Sequence, residues 1–254
     1  MAGPMDRHEH VVQLYGTDER LLARNVCRYL AEGFARGDAL LLVATPRHTD
    51  LFASGLAERG LDVPRIVREG RLTVMDTGEL LGRIMLDGMP DPRLFDDVVS
   101  RELRTVRRRA GSANVCAYGE MVGVLWSVGE FAAAERLEAL WNAAMAQGGL
   151  RLYCAYAIDV LGQGWDSAAV TPILAAHSAV VSGGDDLRSA LERAMDDVLG
   201  DEAGSLRGRL ESGGRDEIAP GEWLATRLVA SGHARASEIL DRARFYQQFR
   251  PQPA

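Results

Sequence analysis

The chain contains no lysine: its 29 basic residues are all arginine. For this chain acting alone, that excludes Schiff-base chemistry and the phosphate-holding lysine of a Gly-Lys-Ser/Thr nucleotide loop. Cysteine is scarce, limited to Cys27, Cys116 and Cys154. An odd number with no Cys-x-x-Cys pair yields neither a disulfide framework nor a zinc site. Cys116 and Cys154 sit inside apolar runs, where cysteine behaves as a small buried hydrophobe. His8-Glu9-His10 has metal-ligand chemistry but lies at the terminus, and no metal is expected. No apolar run reaches the roughly 18 residues that a membrane-spanning helix needs. The first ten residues carry no apolar signal core, so a cytoplasmic chain without membrane insertion is expected. Positive charge is also lacking overall. The formal net charge is −7, which disfavours direct nucleic-acid binding, since that needs cation clusters against phosphates. One basic run, Arg101 to Arg109, reads as a solvated helix face.

What remains is ordinary globular composition, 47% hydrophobic and 26% charged over 254 residues. That length suits one large domain or a domain with an appendage. Short apolar runs alternate with amphipathic stretches. Residues 10–15, 39–44, 71–76, 113–118 and 150–156 read as strands. Residues 18–35, 46–59, 77–86, 92–110 and 129–146 read as helices, the last with a stripe of Phe131, Ala134, Leu137, Leu140, Trp141 and Met145. Thr17 or Asp18 is a candidate N-cap, and Gly37 and Gly60 are candidate stops. This alternation predicts an α/β fold: three layers, α/β/α, around a mostly parallel sheet. Gly183-Gly184 marks a boundary between an α/β domain, 1–182, and a C-terminal helical extension, 185–254, with helices near 185–200, 201–211 and 220–249, the last broken at Gly232.

In a parallel sheet, ligands bind at the carboxyl ends of the strands. Those ends carry Tyr15 and Asp18, Thr45 and His48, Asp76, then Tyr118, Glu120 and Met121, and finally Tyr156. Polar and aromatic groups gathering at one edge of an apolar scaffold point to a binding pocket. Asp18 and Asp76 also fit as helix caps, and His48 as a solvent-facing residue of a first helical turn. Glu120 stands out, being the only charge between Arg109 and Glu130. No nucleophile, base and oxyanion site can be assembled, so no enzyme is expected.

The ordered motifs resemble the MEDS sensory domain over about residues 8–182. They are His10-x-x-x-x-Tyr15-x-x-Asp18, Ala44-Thr45-x-x-His48, Met75-Asp76, Tyr118-Gly119-Glu120-Met121-Val122, Leu137-Glu138-x-Leu140-Trp141-Asn142, Leu152-Tyr153-Cys154-Ala155-Tyr156 and Ala176-His177-Ser178. The resemblance implies a signalling role and a small, hydrocarbon-derived ligand. The layout is also similar to RecA-type ATPases of the circadian-clock branch, with Tyr15 to Arg20 where a phosphate loop would sit and Glu120 near the second acidic motif.

Three functions compete. The first is a ligand-sensing regulatory domain, with a small and partly apolar ligand and a regulatory protein partner; its cofactor, if any, is unspecified. The second is a nucleotide-binding module with residual ATPase activity, in which Arg20 or Arg47 replaces the lysine and Asp76 or Glu120 holds Mg²⁺. The third is an interaction scaffold acting through the tail, where Leu187, Leu191, Met195 and Leu199 would pair two copies as a homodimer.

Overall fold

The computed structural model describes residues 10–162, 165–181, 187–211 and 220–248. The first strand, β1 (His10–Leu14), leads into α1 (Glu19–Ala35), whose N-cap Asp18 accepts from the Leu21 N–H. Then come β2 (Ala39–Ala44), α2 (Pro46–Glu58), α3 (Val63–Arg68), β3 (Leu72–Asp76) and α4 (Thr77–Ile84). A small hairpin of β4 (Met85–Leu86) and β5 (Met89–Pro90) follows. Its Asp87-Gly88 turn has φ of 51° and 78°, the positive pair that two-residue hairpin loops require. Next are α5 (Pro92–Phe95), a π turn over Asp96–Ser100, and α6 (Arg101–Ala110). The stretch predicted as one helix over 92–110 is therefore interrupted by an i→i+5 turn. β6 (Val115–Gly119), α7 (Met121–Ser127), α8 (Phe131–Met145) and β7 (Leu150–Tyr156) complete this region. Beyond it lie α9 (Ser167–Ala176), β8 (Ala179–Val181), α10 (Leu187–Leu199), α11 (Ala203–Glu211), α12 (Pro220–Ala230) and α13 (Ala236–Gln248).

The main sheet has six strands in the order β3-β2-β6-β7-β1-β8, and β3, β2, β6 and β7 run parallel. This is the expected α/β architecture with a mostly parallel sheet flanked by helices and followed by helices. β2 is buried at every residue, as a strand covered on both faces must be, whereas β3 buries only Leu72 and forms an edge. The sixth strand, β8, was not foreseen, because three residues are too few to show a period.

The chain divides into two compact units, one of residues 1–12 and 18–156, the other of 13–17 and 157–254. In the first, α1, α2 and α6 pack on the central strands and α7 and α8 on β7. In the second, α10 packs against α12 and α13. It buries Leu187, Leu191 and Met195, so the apolar stripe proposed to pair two copies is used inside the chain. The boundary expected at Gly183-Gly184 lies outside the described residues, as do His8 and Glu9.

Candidate functional site

Parallel register brings distant strand ends to one edge. Ala44 pairs with Asp76 across β2 and β3, and Val43 with Gly119 across β2 and β6. Thr45, Asp76 and Glu120 are the next or last residues of three neighbouring strands. The Glu120 N–H donates to the Val43 carbonyl at 3.2 Å, which fixes where the chain leaves β6. Thr45 is the N-cap of α2, with its Oγ1 facing the His48 N–H at 3.4 Å and Pro46 at the first helical position.

Glu120 precedes α7 but does not cap it. Its carboxylate turns instead to the start of α2. Oε1 accepts from the Thr45 backbone N–H, and Oε2 accepts from His48 Nδ1 and, at 3.0 Å, from the Tyr118 hydroxyl. Burial opposes ionisation of Glu120, but the bonds from His48 and Thr45 outweigh it and hold the carboxyl below its usual 4.5. The bond to Glu120 raises His48 above 6.5, against the opposing effect of burial. Both directions describe one ion pair, a carboxylate with an imidazolium. His48 is thus a buried partner and not a solvent-facing residue.

On the outer side, His48 Nε2 lies 3.8 Å from Glu19 Oε1, and Arg47 Nη2 donates to Glu19 Oε2 at 2.6 Å. Glu120, Glu19, His48 and Arg47 form a charge-balanced row running from the interior to the surface. Beneath it, the Phe52 ring sits 5.5 Å from the His48 ring and meets Tyr118 edge-on at 4.9 Å. These rings hold the polar residues in place without adding charge.

The structure therefore brings together Thr45, His48 and Glu120 of the predicted residues. It adds Glu19, which sequence reasoning missed because α1 begins at the far end of a strand that is not adjacent to β2. Asp18 and Asp76 cap α1 and α4, accepting from Leu21 and Glu79 N–H at 2.9 Å each. Met121 is buried at the first position of α7. Tyr15 is half-buried just after β1 and belongs to the second compact unit. An open groove between Val67–Gly70, β3 and Arg109 is a separate feature of the sheet edge.

Tyr156 belongs to a different cluster. Its hydroxyl donates to Glu138 Oε1 at 2.6 Å, and its ring stands edge-on to Trp126 at 5.9 Å. Glu138 Oε2 is 3.4 Å from His10 Nε2, and Cys154 Sγ is also 3.4 Å from that nitrogen. Glu138 and Asn142 are four apart on α8 and so share a face. Cys154 and Tyr156, two apart on β7, share the sheet face toward them. Glu138 was overlooked because it lies within the apolar stripe, between Leu137 and Trp141. Phe131, assigned to that stripe, is instead exposed.

In unit two, the Gly16 N–H donates to the Ile158 carbonyl at 3.1 Å. A side chain starting at Gly16 would meet Asp159 Cβ at 3.2 Å. Asp159 in turn pairs with Arg244 at 2.8 Å. His177 is buried with Nδ1 on the Ile173 carbonyl at 2.7 Å, and burial lowers it to about 4.

No curated protein matches this chain. The family model described as the MEthanogen/methylotroph, DcmR Sensory domain matches residues 9–178, well over half of the sequence. The mostly parallel α/β sheet described above is thus the scaffold of a sensory domain, and the chain belongs to the MEDS family.

Proposed function

We propose that the chain is a small-molecule-sensing regulatory domain whose ligand is received at the Glu120–His48 edge. The observation that carries this reading is the family match to a sensory domain, combined with the ion pair held where parallel sheets bind ligands. The four charged groups there sum to zero, so the ligand head is recognised by hydrogen bonds and not by net charge. We take that head to be a neutral hydroxyl or carbonyl. Binding shifts the domain only by its differential affinity for two states, and that shift is read by a regulatory protein partner.

Hydrolysis of nucleotides has less support. The loop at Tyr15–Arg20 has no lysine, and its Gly16 N–H is already used by Ile158. We infer a non-enzymatic role for the same reason.

The test is a thermal-shift screen of the full chain with short-chain alcohols, aldehydes and ketones, and with ATP plus Mg²⁺. The sensing reading expects stabilisation by at least one neutral oxygenated compound, lost in Thr45→Pro and His48→Ala. Stabilisation by ATP alone, sensitive to Arg20→Ala, would replace it with the nucleotide reading.

A further inference from the structure

His10, Glu138 and Cys154 come from β1, α8 and β7, and all three are buried. One donor atom of each lies within 4.8 Å of the other two. The imidazole Nε2 is equidistant from sulfur and carboxylate oxygen, 3.4 Å from each. A direct charge-assisted N–H···O bond would close to about 2.7–2.9 Å. Ligand atoms around a tetrahedral zinc-class ion, with bonds of about 2.0–2.3 Å, lie about 3.3–3.6 Å apart. The two separations from Nε2 match those of co-ligands.

The surrounding groups aim these donors inward. The His10 Nδ1–H donates to Asn142 Oδ1 at 2.9 Å, which turns the Nε2 lone pair toward the sulfur and the carboxylate. Tyr156 binds the other carboxylate oxygen at 2.6 Å and so orients Oε2. Outer partners of this kind, one for the histidine and one for the carboxylate, are what metal ligands require.

We propose that His10 Nε2, Glu138 Oε2 and Cys154 Sγ are three ligands of one transition-metal ion of the zinc class. A thiolate–imidazole–carboxylate set suits Zn²⁺ and Co²⁺ and does not suit Mg²⁺ or Ca²⁺, which take oxygen ligands. The ion ties the first strand to β7 and α8. It is independent of the Glu120 site, which shares none of these residues.

The experiment adds Co²⁺ to reduced, chelator-treated full-length protein, records the visible and near-ultraviolet spectrum, and measures retained metal after gel filtration. The expected result is one ion per chain with a thiolate-to-cobalt charge-transfer band, displaced by Zn²⁺. Cys154→Ser should abolish the band, and Cys27→Ser should keep it. Asn142→Ala leaves all three donors in place and should weaken affinity by about 10–100-fold. The thermal midpoint should rise with Zn²⁺ in the parent protein. Absence of the band in the parent protein, retention of far less than one ion, or a band that persists in Cys154→Ser would each overturn the assignment. If Cys154→Ser does not fold by circular dichroism, the parent spectrum and the Asn142→Ala affinity decide: an unchanged affinity refutes the site.

Discussion

Glu120→Gln should unpair His48 while leaving side-chain volume unchanged. Three donors converge on the Glu120 carboxylate: Thr45 N–H, His48 Nδ1 and Tyr118 OH. A glutamine amide offers one acceptor oxygen and an NH₂, so the protonated His48 and the Tyr118 hydroxyl, which share Oε2, face a donor unless His48 gives up its Nδ1 proton and the hydroxyl turns to accept. A buried donor left without an acceptor costs about 1–3 kcal/mol, and losing the charge from the His48 bond adds about 1 kcal/mol. The sum is about 2–4 kcal/mol, near the lower end for breaking a buried ion pair. His48 and Glu120 side chains are only 10% and 6% exposed, so solvent screening discounts this little.

The loss depends on pH in a defined way. The folded His48 value is raised above 6.5, so its contribution is fully present below 6.5 and fades as pH rises through the raised value. The folded Glu120 value is lowered below 4.5, so its contribution is present above 4.5 and fades as pH falls through the lowered value. The parent protein's advantage over Glu120→Gln is therefore widest between pH 4.5 and 6.5 and narrows on both sides as His48 and Glu120 titrate. Urea unfolding followed by tryptophan fluorescence, inside that window and at alkaline pH, measures it. A difference below about 0.5 kcal/mol, the scale of an unremarkable surface change, would refute the buried pair. So would a difference just as large at alkaline pH.

Two further outcomes follow from the same geometry. Gly123→Ala would place a methyl 2.2 Å from the Ala155 carbonyl oxygen, so α7 must lift from β7; unfolding should show a loss of about 1–3 kcal/mol, and an unchanged midpoint would contradict that close approach. Burial pushes the Cys27 and Cys116 thiols up to about 11 and about 12, so neither should react with a disulfide reagent near neutral pH until denaturant is added; rapid labelling of the native protein would show that these cysteines are open.

The main elements were legible because their periods are long enough to read. β2 is an unbroken apolar run, and α1 carries a clear stripe with Asp18 in front of it. The hairpin at 85–90, the short α3 and α7, and the three-residue β8 escaped because each is too short to show a repeating apolar pattern. Glu120 was visible as an isolated charge in an apolar stretch. Its partner was not, because His48 lies 72 residues away and meets it only through the pairing of β2 with β6. That pairing skips three strands and five α-helices in the sequence. Glu138 stayed hidden for a different reason: a carboxylate in a buried helical stripe is recognised only once Tyr156 and His10 are seen facing it.

The central claim is that a small neutral ligand is read at the Glu120–His48 edge. The most direct measurement is the side-chain NMR signal of His48, assigned by His48→Gln, during titration of the full chain with short-chain alcohols, aldehydes and ketones. The account predicts that at least one compound shifts this signal saturably and that the shift is lost in Glu120→Gln. A compound that binds and stabilises the protein while leaving His48 unmoved would contradict it, as would a complete panel that leaves the His48 signal unchanged.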